Sequence, residues 1–560
     1  MYFRANNFYN IYSPSMNHLF KTSLFTFLFF ICFLFASHAQ YESWFLEGSD
    51  STNGANVQAI YEKNMILHPQ NKVIVAVLDG GVDPTHEDLK NVMWVNPGEI
   101  PGNRQDDDHN GYIDDIHGWN FLGSEDGQNV DQDTYEVTRE FVRLHKKFKD
   151  VNPDKLKRKE KKEYELYLSY QEKIEEEAEK AESQYNELIQ QKQFIVNFLH
   201  MTEAVVGQDN EISEESVKRM KEESKEANAQ VLAVLQNIVE STGQSFNNFE
   251  AFESFIMDDI EKGEKHFESK FKYGYNPDFE PRPIVGDNYD NTSQRYYGNN
   301  DIAGPDAFHG THVAGIIGAE RDNGIGIDGI SNQVEIMGVR MVPDGDERDK
   351  DVANGIIYAV DNGAKVINMS FGKGISPEKR AVDKAVKYAM KHDVLLVHAA
   401  GNESKNTDEE DNFPNNLYDK RGFFGKKKYA EAWLEVGALA RKTDKHSIAS
   451  FSNYGQNHVD IFAPGHQIYS TAPDNEYKMA SGTSMAAPVV AGVAAIIRAN
   501  FPSLSAQEVK EIIMESGDEI TIPVIKPGTD EEVDFSTLSV SGKRINAKKA
   551  YLLAAERAGK

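Results

Sequence analysis

The run Val73-Ile-Val-Ala-Val-Leu78, closed by Asp79-Gly80-Gly81, constrains more than any other feature what this chain can fold into. Six consecutive apolar residues without polar alternation suit a strand buried on both faces, as in a parallel sheet covered by helices. Val366-Ile-Asn-Met and Val394-Leu-Leu-Val have the same character and alternate with helical patterns. That alternation predicts an α/β fold with a mostly parallel sheet and helices on both sides. Sites in such sheets form beyond the carboxyl ends of the strands, where Asp79 stands. Taken alone, Asp79 reads as a turn former after a strand.

The stretch 133–280 differs, being dense in Glu, Lys and Gln. Tyr167, Tyr170, Ile174, Ala178, Ala181, Tyr185 and Leu188 recur at steps of three and four, as do Val217, Met220, Ser224, Ala227, Val231, Val234 and Ile238. Two such stripes predict an antiparallel, coiled-coil-like helical hairpin. Asn152-Pro153 and Ser213 supply starts, and Gly243 a stop. The plainer reading is a charged arm facing water; the sharper one is a recognition or regulatory device.

Net charge is −29, which argues against a nucleic-acid partner because phosphate binding requires a basic face. At the N-terminus, Met16-Asn-His-Leu-Phe-Lys21 precedes the apolar run Leu24 to Phe35 and the small-residue exit Ala36-Ser-His-Ala39. Residues 1–39 therefore read as an export signal, placing the mature chain outside the cell or in a periplasm. The run is short for a span and no second one follows, so no membrane span is expected after its removal. Cys32, the only cysteine, lies inside this signal. A disulfide framework and a cysteine nucleophile are both excluded for the mature chain.

Two further segments carry chemistry. Phe308-His309-Gly310-Thr311-His312 opens a small-residue helix, and a lone His there is as well structural as catalytic. Gly482-Thr483-Ser484-Met485 leads into the apolar helix Val489 to Ile497, with Ser484 at its mouth. A helix N-terminus favours negative charge developing near that hydroxyl, although an ordinary serine cap looks the same.

Together with Asp79, these segments resemble the Asp, His and Ser motifs of subtilisin-like serine proteases, in the chain order subtilisin uses. Ala399-Ala400-Gly401-Asn402 resembles that family's oxyanion segment, and Met369-Ser370-Phe371-Gly372 the strand that pairs with substrate backbone. Phe462-Ala463-Pro464-Gly465 and Asn546-Ala547 fit as well. The resemblance implies a subtilisin-like three-layer sandwich, interrupted at 133–280, in which 40–132 and 281–560 form the catalytic domain. It implies an exported serine endopeptidase acting on protein or peptide substrates. Ser484 is then the nucleophile, His309 the base, Asp79 its orienting partner and Asn402 an oxyanion donor. Ser370, Phe371, Gly372, Ala400 and Gly401 would bind substrate. His312, one helical turn beyond His309, would be a packed helix residue.

No cofactor is expected for catalysis. Asp106-Asp-Asp108-His-Asn110-Gly-Tyr112-Ile-Asp114 resembles the start of an EF-hand loop, giving Asp106, Asp108, Asn110, Tyr112 and Asp114 as candidate calcium ligands. His117 stands where that loop needs a bidentate Glu, so a ligand from elsewhere is required. The plainer reading is an acidic turn.

The chain departs from the family in two ways. Between Asp79 and His309 lie about 230 positions, filled largely by the helical stretch; if that stretch covers the cleft, its deletion should raise activity on small peptides. And after position 39 no room is left for a prodomain before Asp79. A competing reading is a non-catalytic binding or scaffold protein on a protease-like fold, with the helical stretch as its working arm.

Overall fold

The computed structural model describes residues 43–48, 51–223, 228–242, 245–419 and 428–560. The expected signal at 1–39, Cys32 within it and the expected helix stop Gly243 lie outside the described residues. The strands are β1 Val73–Asp79, β2 Gly118–Asn120, β3 Val334–Arg340, β4 Val366–Met369, β5 Leu395–Ala399, β6 Trp433–Leu439 and β7 Ile461–Pro464. There follow β8 Ile468–Ala472, β9 Glu476–Ala480, β10 Asp518–Glu519, β11 Pro523–Ile525, β12 Glu532–Asp534 and β13 Lys543–Arg544. The main helices are α1 Glu136–Phe148, α2 Arg158–Val206, α3 Glu214–Glu223, α4 Ala229–Thr242 and α5 Phe249–Ser269. After these come α6 Phe308–Gly318, α7 Asp349–Asp361, α8 Lys379–Lys391, α9 Thr483–Asn500, α10 Ala506–Ser516 and α11 Ala547–Arg557.

Among the described residues, nine strands form one sheet in the order β10-β13-β7-β6-β5-β4-β1-β3-β2. Its pairings are parallel except for β10 with β13. The apolar run that defines β1 is explained by its two neighbourhoods. Val75 and Val77 join the core under α6, α9, α10 and α11, whereas Ala76 and Leu78 join the core under α7 and α8. Burying each large aliphatic side chain is worth about 1.5–3 kcal/mol, so neither face tolerates a polar alternation. The α/β sandwich expected from the sequence is the observed architecture.

β1 lies between β3 and β4, so the strand order reverses there and a crevice opens at its carboxyl end. Helix α9 is long and apolar enough to cross a membrane by composition, yet it is 94% buried within the protein. Ser484 is the only one of its residues that is not buried.

Two compact units can be separated. One comprises 42–180 and 269–560, with the sheet; the other contains 181–268. Helix α2, 49 residues long, contributes to both. In the smaller unit the end of α2, α3, α4 and α5 enclose their own core of Leu199, Val217, Leu232, Leu235, Phe252 and other apolar side chains. Of the expected second stripe, Val217 to Ile238, Ser224 and Ala227 lie outside the described residues; among the described ones α3 ends at Glu223 and α4 starts at Ala229. Its inner face is only in part the expected one, with Val217 and Ile238 inside. Leu232, Leu235, Ile238 and Val239 are buried, while Val231 and Val234 are half-buried. A helix reading AQVLAVLQNIVEST offers two overlapping apolar stripes, and packing chooses between them.

In the larger unit, the charged stretch is no solvated arm at its start. Asp133 is 2% and Glu136 4% exposed. Arg348 grips Asp133 with two bonds of 2.7 and 2.9 Å, and Arg282 bonds Asp287 at 2.7 Å and Asp351 at 2.6 Å. These ions are buried because each has found its counter-charge.

Candidate active site

Three neighbouring strand ends bring the chemistry-bearing residues to one place. Leu78 of β1 faces Met369 of β4, and Met369 faces His398 of β5. Asp79, Ser370 and Ala399 therefore follow one another across the crevice, about 4.8 Å apart from strand to strand. Asp79 is 2% exposed. Its Oδ1 accepts from Gly80 N at 2.7 Å and from His309 Nδ1 at 2.7 Å. A carboxylate only accepts, so the proton sits on Nδ1 and Nε2 of the neutral ring remains an acceptor.

Close backbone approach makes this contact. A Cβ on Gly310 would lie 2.2 Å from the Gly81 carbonyl oxygen and 3.0 Å from Asp79 Cβ, so only glycine lets α6 come this near β1. Crowding by the protein pulls the His309 pKa down, but the charge and hydrogen bond of Asp79 outweigh it and leave it raised above 6.5. His312 behaves differently. Fully buried, its Nε2 donates towards the carbonyls of Ile468 and Lys478 at 3.1 and 3.0 Å. Burial pushes its pKa down to about 4, so it stays neutral and serves packing.

Ser484 is tied to Ser370 twice. Its hydroxyl donates to the Ser370 carbonyl at 3.1 Å, and Ser370 Oγ donates to the Ser484 carbonyl at 2.9 Å. Ser484 and His309 share no hydrogen bond in this conformation. Ser370, expected only to bind substrate, thus anchors the serine itself. Nothing in its motif signals that; the clamp spans 114 positions. Phe371 is half-buried and Gly372 exposed.

The oxyanion-like segment is organised around Thr483. Its N–H and hydroxyl both donate to Asn402 Oδ1, at 2.8 and 3.1 Å, and its Oγ1 accepts from Gly401 N at 3.0 Å. With Oδ1 so occupied, the amide group of Asn402, an exposed residue, keeps its two N–H donors for the cleft. Gly401 has φ 103°, a left-handed conformation, and a Cβ there would lie 2.3 Å from Asn453 Nδ2. Ala400 is fully buried, its carbonyl accepting from Asn453 at 2.8 Å and Asn412 at 3.2 Å.

At the acidic loop, oxygens of Asp106, Asp108 and Glu99 lie within 4.8 Å of one another. Glu99 went unnoticed in the sequence because it precedes the loop and joins it only through space. Asp114, expected to be a ligand, accepts from Gly102 N at 3.0 Å and Arg104 N at 2.6 Å. Asn110 spends its amide on Asp108 and Asp115, both at 3.2 Å. The Tyr112 ring is buried among Trp119, Phe121 and Tyr358. An all-oxygen set of three carboxylates is the donor chemistry a calcium ion takes.

Comparison with known proteins follows the same lines. A cell wall-associated protease of Bacillus subtilis is 36% identical over 240 residues, covering 43% of this chain and 24% of its own length. A thermophilic serine proteinase of a Bacillus species is 38% identical over 38% of this chain and 47% of its own. The chain thus spans about half or less of these two relatives. Thermitase of Thermoactinomyces vulgaris is 35% identical over 248 residues, 44% of this chain and 77% of thermitase. Among solved structures, a protease of Pseudoalteromonas arctica matches with 26% identity and a TM-score of 0.37, covering 46% of this chain and 78% of that one. The profile of the Subtilase family matches residues 70–537, from the strand bearing Asp79 to beyond Ser484, and the chain belongs to that family.

Proposed function

We propose that the chain is an exported serine endopeptidase, with Ser484 as nucleophile, His309 as general base, Asp79 as the group that orients it, and Asn402 as oxyanion donor. The observation that carries this reading is the 2.7 Å bond between His309 Nδ1 and Asp79, one strand away from the Ser370 that holds Ser484. Turning the Ser484 hydroxyl from the Ser370 carbonyl to His309 Nε2 prepares the attack; such bonds often tighten only with substrate present. As Oγ bonds to the scissile carbonyl carbon, its proton passes to Nε2, and Asp79 stabilises the imidazolium. The carbonyl oxygen, now an anion, is met by the Asn402 amide and by the Ser484 N–H. Being at the second position of α9, that N–H has no acceptor inside the helix. Collapse breaks the C–N bond, and Nε2 returns the proton to the departing amine. Water then hydrolyses the acyl-enzyme by the reverse sequence. Phe371 and Gly372 would pair with the substrate backbone. Glu99, Asp106 and Asp108 would hold a calcium ion that stabilises the fold and takes no part in these steps.

Ser484→Ala should abolish peptide hydrolysis and fluorophosphonate labelling, and His309→Ala should hurt far more than His312→Ala. The reverse order would overturn the assignment of the base. Asn402→Ala should cost roughly 100- to 1000-fold in kcat. Because the base must be neutral, and the Asp79 contact raises its pKa, kcat/KM should fall on the acid side with a midpoint above 6.5. Chelation should lower the melting temperature; an unchanged melt counts against the ion.

A further inference from the structure

At the end of the segment read as substrate-pairing stands a buried ammonium. Lys373 follows Gly372, and its side chain is 1% exposed. Its main chain exchanges two hydrogen bonds with Phe413, of 2.9 and 2.8 Å. Its Nζ donates to Glu136 Oε2 at 2.6 Å and to the Glu347 carbonyl at 2.6 Å, and lies 2.9 Å from Asp349 Oδ1. An ammonium has three donors, and here each has an acceptor. Glu136 opens α1 and shares its carboxylate with Arg139 at 2.8 Å.

Four consecutive residues are thereby held at both ends. Ser370 is fastened to Ser484, and Lys373 to Glu136, while Phe371 and Gly372 between them have no main-chain partner among the described residues. Backbone N–H and C=O groups left unpaired between two fixed points are a template for an incoming extended backbone. A buried charge pair is a costly way to fasten a surface segment, since apolar packing of equal volume does as well or better for stability. Its geometric definition is what apolar packing lacks. Neither Glu136 nor Lys373 bonds Asp79, His309 or Ser484.

We propose that Glu136 and Lys373 form a positioning pair that fixes Phe371–Gly372 in the conformation an extended substrate pairs with, so that the first helix of the charged stretch is part of the frame of the cleft. The inference rests on the endopeptidase reading. Its test is steady-state kinetics of the full chain on two substrates. One is an N-acetylated single-residue ester, with no further residues to pair along the strand. The other is a tetrapeptide ester with the same residue at the cut.

Glu136→Gln should raise KM for the tetrapeptide about tenfold, leaving kcat on both substrates and KM for the single-residue ester within about twofold of wild type. The double variant Glu136→Gln/Lys373→Met should lie closer to wild type than Glu136→Gln alone. Glu163→Gln, on α2 at the half-buried partner of Lys147, should change nothing. Should Glu136→Gln not fold, Glu136→Asp, which keeps the charge but shortens its reach, gives the same readout. Equal losses on the two substrates, or an unchanged tetrapeptide KM, would overturn the proposal. A wild-type chain that turns over neither substrate and takes no label on Ser484 sinks the endopeptidase reading and this inference together. A wild type that labels and turns over the ester, with variants that lose nothing, sinks the inference alone.

Discussion

Two parts of the charged stretch look alike as sequence and are unlike as structure. Around Asp133 to Arg139, carboxylates and cations are buried and bonded to Arg348, Asp346 and Lys373 of the sheet-bearing unit. Within 181–268, the apolar residues make a core of their own, and ion pairs such as Lys262 with Asp258, 2.5 Å apart, are about half exposed. Charge density says that a segment is polar, not where its charges end up. The counter-charge decides: with a partner waiting inside, an ion goes in; without one, it stays in water.

The most drastic way to test that contrast is deletion. Removing 133–279 would take Asp133 from Arg348 and Glu136 from Lys373, leaving them only Glu280 and Asp349, so the chain should fail to fold. Excising only 181–268 should leave a folded protein that still labels at Ser484. The ends are near one another: besides the burial that lowers the Lys270 pKa, Glu177 and Lys180 lie close enough to influence it. Equal behaviour of the two deletions, read by circular dichroism and labelling, would break the comparison. Next in size, Arg348→Met should cost about 3–5 kcal/mol in urea unfolding, because it removes both guanidinium bonds to the buried Asp133 and leaves it as counter-charge only the longer contact with Arg139, at 3.6 Å.

Acid should expose the same network. Burial alone would raise the Glu136 pKa, but Arg139 and Lys373 outweigh it and bring it to about 2, from an ordinary 4.5. The unfolded chain therefore takes up a proton near 4.5 that the native one refuses until about 2. This carboxylate's stabilisation is fully present above that window and disappears as pH falls through it, a loss of roughly 3 kcal/mol. Urea midpoints measured down the window should fall less steeply in Glu136→Gln. The smallest effect belongs to the other region: Lys262→Met should change stability by less than about 0.5 kcal/mol. A larger loss would mean that the helical unit also depends on its ion pairs.

What was legible in the sequence depended on distance along the chain. The β1 run announces a two-sided strand because six neighbours repeat one message. The segments around Asp79, His309 and Ser484 are each ambiguous alone, and only the three together, in their chain order, carry the resemblance. Pairings across long gaps left no local trace. Asp133 meets Arg348 across 215 positions, and Glu136 meets Lys373 across 237. Glu99 makes the same point at short range: it precedes the acidic loop and joins Asp106 and Asp108 only through space.

One consequence of how Ser484 is mounted concerns heat. Its hydroxyl rides on a spindle whose other seventeen residues are all in the interior, between strands of the sheet and α6. Displacing it requires breaking the largest apolar core among the described residues, rather than fraying a loop. Inactivation on warming should therefore coincide with collapse of the whole sheet-bearing unit, and no milder temperature should yield an intact but idle enzyme.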